Sequence, residues 1–100
     1  MTLESAKELE GTTFDVALPD GTVTSMRLDE AVPFLTQQRR RSRGPTPRRQ
    51  PFALYFLGSP ATILPQGIYS FRSESASFDQ LFIVPVGQDE EATEYEAVFS

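Results

Sequence analysis

Short apolar runs recur along this chain at intervals of roughly ten residues, most of them closed by a turn signal, and that rhythm limits the fold more than any other feature. TFDVALPDGTVTSMRL sets Phe14, Val16 and Leu18 in alternation with polar or small residues, then places Asp20-Gly21 before a return run. Asp-Gly between alternating runs is a strong hairpin signal, because a tight primed turn needs positive φ at both central positions. On the return run Val23 falls out of phase with Met26 and Leu28, which predicts a bulge or a short strand. Pro33 interrupts AVPFL and reads as an edge or a strand end. PFALYFLGS is apolar on both sides, with Phe52, Leu54 and Phe56 on one and Tyr55 and Leu57 on the other, the pattern of a central strand covered twice. LPQG, Leu64 to Gly67, has Pro second and Gly fourth, as a type I turn does, and feeds a run in which Tyr69 and Phe71 share a face. FDQLFIVPVG follows, and TEYEAVFS then alternates Tyr95, Ala97 and Phe99 with Glu94, Glu96 and Val98. These runs predict a mainly β fold: a small antiparallel β-barrel or sandwich of about six strands. Ahead of them, Thr2 is placed to cap a short N-terminal helix with Leu3, Ala6 and Leu9 on one side and Gly11 at its end. So short a helix is marginal alone and must dock.

One hundred residues suit one domain with a modest core, and eight Phe with three Tyr supply the apolar material to fill it. The expectation is a single β-rich domain over residues 1–100, with 37–50 as an Arg-rich mobile loop. The absence of Cys rules out disulfides, thiolate metal sites and thiol nucleophiles, and the absence of His removes the Ser-His-Asp and Cys-His arrangements and the commonest general base. LGSPA, Leu57 to Ala61, lacks the Gly-x-Ser-x-Gly frame of a nucleophile elbow, and the glycines form no phosphate-binding pattern. Fourteen acidic residues give carboxylate pairs by chance, but none is marked as buried. The reading is a non-enzymatic protein with no cofactor, no metal and no small-molecule substrate. MTLESAKELEG has no basic start followed by an apolar run, and no stretch of about 18 apolar residues occurs, which predicts cytoplasmic synthesis without membrane insertion. Export within a larger assembly is compatible with that.

Charge along the chain is sorted rather than mixed. QQRRRSRGPTPRRQ, Gln37 to Gln50, holds Arg39, Arg40, Arg41, Arg43, Arg48 and Arg49, six of the nine basic residues, in a chain of net charge -5. Outside it, Lys7, Arg27 and Arg72 stand against fourteen acidic residues, a balance of -11. Three readings of the segment are open. It is a solvated hairpin tip, a contact with an acidic protein surface, where complementary charge steers encounter and fixes register, or a phosphate-binding element. The acidic body and the lack of aromatics inside the segment argue against nucleic acid, which stays as the second alternative. The acidic run DEEATEYE lacks the residue order of a calcium loop and reads as a solvated hairpin entering an exposed strand face. Asp89, Glu90 and Glu91 are also placed to receive the arginines of a neighbouring copy, which would make the chain self-complementary, head to tail.

From Gln50 onward the chain resembles an uncharacterised family of short bacterial proteins, a domain of unknown function. The shared segments are PFALYF at Pro51 to Phe56, LPQGIY at Leu64 to Tyr69, LFIVPVG at Leu81 to Gly87 and YEAVF at Tyr95 to Phe99. The first half is similar only through a short helix, a Gly-Thr-x-Phe start at Gly11 to Phe14 and a hairpin. The resemblance implies an accessory or structural protein encoded near phage-tail-collar-like fibre proteins. A fibre protein of that type, or further copies of this chain, are then the expected partners. Its shared residues are strands and turns, so it transfers no catalytic role, and the arginine segment lies outside them.

Overall fold

Thr2 opens helix α1 (Leu3–Glu8) as the sequence predicts: its hydroxyl accepts from the Ser5 N–H at 3.2 Å, while the Ser5 hydroxyl accepts from the Thr2 N–H at 3.1 Å. This reciprocal pair satisfies two of the amide groups that a helix start leaves open. Ala6 is buried and Leu3 and Leu9 pack against the core, so the docking that a six-residue helix needs is supplied by the barrel. Gly11 takes φ +89°, a left-handed conformation open to glycine at little cost, and its N–H donates to the Leu28 carbonyl at 2.7 Å. The helix end is thereby also the start of strand pairing.

The computed structural model describes residues 2–33 and 51–99. After α1 come β1 (Thr13–Ala17), β2 (Val23–Pro33), β3 (Phe52–Gly58), β4 (Gly67–Arg72), β5 (Ser77–Gln88) and β6 (Thr93–Phe99). All pairings are antiparallel, and they close into a barrel in the order β1-β2-β3-β6-β5-β4. Of the two architectures the sequence allows, the chain therefore takes the barrel. The Arg-rich stretch lies outside the described residues.

Period-two alternation fills the interior: Phe14 and Val16 from β1, Leu54 and Phe56 from β3, Tyr69 and Phe71 from β4, Tyr95 and Ala97 from β6 are all buried. Phe14 packs its ring against Phe56 at 6.0 Å edge-on, Phe71 at 6.2 Å and Phe78 at 5.6 Å, in the tilted geometries that aromatic quadrupoles favour. Three bulges interrupt the alternation. One falls at Asp29 in β2, between Leu28 and Glu30. The others lie in β5, between Phe78 and Leu81 and between Pro85 and Gly87. Each bulge resets which residues point inward, so that Leu28 is followed inside by Ala31 rather than by Glu30. Glu10 covers the first bulge, its carboxylate accepting from the Ala31 N–H at 2.8 Å.

Three expectations are corrected. The Asp20-Gly21 loop is not a two-residue primed turn, because only Gly21 has positive φ (+91°). Pro19 has no N–H to donate in the closing pair of a two-residue turn, and the chain instead makes a three-residue loop, with Leu18 N–H donating to the Thr22 carbonyl at 2.8 Å and Gly21 N–H to the Leu18 carbonyl at 3.0 Å. Val23 marks no short strand or local bulge: it is the exposed first residue of an 11-residue strand whose bulge lies further on. β3 is not covered twice, since in a closed barrel its second face is the outer wall, where Tyr55 and Leu57 are half-buried. Two tyrosine hydroxyls hold the LPQG segment, Leu64 to Gly67. Tyr95 accepts from the Leu64 N–H at 2.9 Å, and Tyr69 donates to the Pro65 carbonyl at 2.8 Å.

Candidate functional site

With the interior filled by side chains, the candidate surface is the outer wall. Strand register decides which outward residues stand side by side. On β4 and β5, Ile68 pairs with Phe82, and two residues along β5 Val84 pairs with Glu96 of β6. Phe82 and Val98 thus lie two residues beyond the Val84–Glu96 pair in the same direction and on the same face. Ile68, Phe82, Val86 and Val98 are 64, 50, 47 and 53% exposed, values at which a water-facing position ordinarily carries a polar side chain. Half-buried Val32 and buried Ala53, paired with each other and followed by Val98, continue the row onto β2 and β3. The exposed part of this row is Ile68, Phe82 and Val98 on β4, β5 and β6, because wholly buried Ala53 interrupts it before Val32. Contiguous exposed apolar surface of this kind marks contact surfaces more often than scattered single residues do.

Carboxylates border the row. Tyr55 pairs with Glu30 on one side and Glu96 on the other, and Glu94 follows Glu96 on the same outward face. The Tyr55 hydroxyl donates to Glu96 Oε2 at 2.7 Å. That hydrogen bond, with lesser contributions from burial and from the charges of Glu96, Glu94 and Glu30, pushes the phenol up to about 12. Since the neutral phenol is the donor and an ionised carboxylate the acceptor, the contact is fully present at neutral pH, below the phenol's ordinary range, and is lost as pH rises through its raised value. An absorbance titration is expected to show one tyrosine ionising near 12, and Glu96→Gln to bring that tyrosine back toward the ordinary value near 10. An unmoved titration curve in the variant would assign the shift to another cause.

Of the residues singled out by sequence, Arg39, Arg40, Arg41, Arg43, Arg48 and Arg49 lie outside the described residues. Asp89, Glu90 and Glu91 sit in the exposed loop between β5 and β6, as the solvated-hairpin reading requires. Asp89 is occupied with the turn itself: Oδ1 accepts from the Ala92 N–H at 2.9 Å and the Glu91 N–H at 2.8 Å, and these bonds hold its carboxyl below the usual carboxylate range. Asp20 does the same work in the first hairpin, accepting from the hydroxyl and N–H of Thr22, which lowers its pKa likewise. The outward trio Glu30, Glu94 and Glu96 was not assembled by sequence reasoning, although the alternation in TEYEAVF already sets Glu94 and Glu96 opposite the buried Tyr95.

Little else on the described surface suggests chemistry. An open depression of about 300 Å³ lies where β1 and β4 diverge, lined by residues such as Leu18, Ile68, Tyr69 and Asp79. Among the described residues, no group of three or more acidic side chains converges closely enough to hold a metal ion, and no helix is long and apolar enough to cross a membrane.

A family described as a domain of unknown function, DUF6916, matches residues 1–99, so the first half of the chain falls within it as fully as the second. No curated protein and no solved structure matches the chain.

Proposed function

We propose that this chain, which belongs to the DUF6916 family, is a non-catalytic assembly or accessory protein that works by binding other protein. On this reading its partner is a fibre protein of the tail-collar type or another copy of itself. It is made in the cytoplasm and leaves only as part of such an assembly. The observation that carries the reading is the exposed apolar band of Ile68, Phe82 and Val98 bordered by carboxylates. Covering side chains of this size removes apolar area from water at about 25 cal/mol per Å², which is the driving force of most protein association. A carboxylate border favours basic surface on the partner that meets it. The same border disfavours a phosphate backbone, which supports protein over nucleic acid as the occupant.

The test is purification of tagged protein from its own host at low salt, with identification of whatever accompanies it. A fibre-like protein or a ladder of self-assembled copies is expected. Joint Ile68→Ser and Phe82→Ser replacement is expected to reduce recovery of that companion at least tenfold, a loss of about 1.4 kcal/mol or more. Surface changes of this sort ordinarily shift stability by only about 0.5 kcal/mol. Nuclease-sensitive nucleic acid as the sole companion, lost when the six arginines are replaced, would overturn the reading.

A further inference from the structure

We infer that the N-terminal segment, α1 with Glu10, is a guard over an open edge of the barrel, and that its withdrawal lets the same edge of a second copy pair there. The surface involved is the side of β2 from Asp29 to Pro33, a line of main-chain groups rather than the outward apolar row of β4, β5 and β6.

The edge exists because β2 outruns its neighbour. β2 has 11 residues and β1 has 5, and their ladder covers only Val23 to Arg27 of β2. Leu28 adds two bonds, its N–H donating to the Thr12 carbonyl at 2.9 Å and its carbonyl accepting from the Gly11 N–H at 2.7 Å. Past that point β2 is paired with β3 on one side, and among the described residues no strand pairs with the other side. Glu10 reveals which groups face that side. Its carboxylate accepts from the Ala31 N–H, so Ala31 turns its amide away from β3. A residue in an antiparallel strand directs its N–H and C=O the same way, and Ala31 therefore presents a donor and an acceptor together.

Three features obstruct pairing at this edge. Glu10 Oε2 occupies the Ala31 donor at 2.8 Å, in place of a strand carbonyl. Pro33, two residues on and facing the same way, has no N–H. α1 packs beside β2, with Ala6 buried and Leu3 and Leu9 against the core. A covering helix, a proline and a charged side chain are the means by which sheets avoid edge-to-edge association. The cover is lightly held, because a six-residue helix is marginal alone and segments with few buried contacts open locally with far less free energy than the whole domain needs.

With the guard withdrawn, a second copy turned end for end meets the edge in register. Ala31 of each copy then lies opposite the same residue of the other, and each N–H reaches the other's carbonyl, as in a hydrogen-bonded antiparallel pair. The two-fold axis through that pair makes the contact isologous and closed.

Amide hydrogen exchange combined with sedimentation tests this on the full-length chain. The released variant carries Leu3→Ser and Glu10→Ala. At low concentration its Ala31 amide is expected to exchange at least about tenfold faster than in wild type, while the Leu54 and Ala97 amides of the β3–β6 ladder keep their rates. As concentration rises, a dimer is expected to appear and the Ala31 amide to regain its protection. Glu10→Ala alone, which leaves the apolar contacts of α1 in place, is also expected to speed Ala31 exchange, so this arm stands even where the double variant loosens the whole barrel. Unchanged Ala31 exchange in either variant would overturn the inference. A released variant that is folded and monomeric at every concentration would overturn it as well. So would a dimer in which Ala31 still exchanges freely, since the copies would then meet elsewhere and the protein-binding reading would stand without a guarded edge.

Discussion

Phe14→Ala is expected to lower the free energy of unfolding by about 3–5 kcal/mol, a large share of the roughly 5–15 kcal/mol that holds a domain of this size together. Phe14 is wholly buried and is the ring on which three others converge, Phe56, Phe71 and Phe78, drawn from β3, β4 and β5. Truncation removes its transfer free energy and leaves a void that a closed barrel has little freedom to collapse. Urea unfolding of the two proteins measures the difference directly. A loss below about 1.5 kcal/mol, within the range of tolerated volume-conserving core changes, would mean that the wall relaxes inward and that the core does not depend on this ring.

Tyr95→Phe is the second large effect, expected to cost about 1–3 kcal/mol although a single oxygen is removed. Tyr95 is wholly buried, and its hydroxyl accepts from the Leu64 N–H at 2.9 Å while facing the Thr62 carbonyl at 3.4 Å. Without the oxygen, a peptide group beside buried Leu64 is left without its partner, and an unsatisfied buried group costs more than the mean hydrogen bond contributes. The companion change Tyr69→Phe removes a bond to the Pro65 carbonyl from the same segment, where Pro65 is exposed and water substitutes. Thermal unfolding is expected to show the Tyr95 variant as the less stable of the two. The reverse order would mean that the segment is anchored at Pro65 instead.

How far the sequence carries depends on whether a feature is local. Strand identity is local: Phe14 and Val16, or Tyr95 and Ala97, show by alternation alone which side faces inward. The bulges are not local, because one added residue at Asp29 makes sense only once Leu28 and Glu30 are aligned with Phe56 and Tyr55 on the next strand. Barrel and sandwich likewise remain indistinguishable until β1 is seen to meet β4. Pro19 was available to exclude the primed turn at Asp20-Gly21, a signal carried by the residue before the motif rather than by the motif. Among the candidate site residues, Asp89, Glu90 and Glu91 are adjacent in sequence and were visible as a group. Glu30, Tyr55 and Glu96 come from three distant segments, united only because β6 inserts between β3 and β5. Charge sorting was legible from composition alone, since it needs no coordinates.

Closure of the barrel rests on its shortest ladder, in which β1 and β4 pair only from Asp15 to Ala17 against Arg72 to Ser70, whereas β3 is paired along its whole length with β6. If this ladder parts, the barrel unrolls into an open sheet with β1 and β4 as its two edges, and Phe14 and Phe71 come into view beside the break. Free edges flanked by aromatic side chains are templates for pairing with other chains. A breach three residues wide therefore suffices to expose two pairing edges while the other five ladders stay intact.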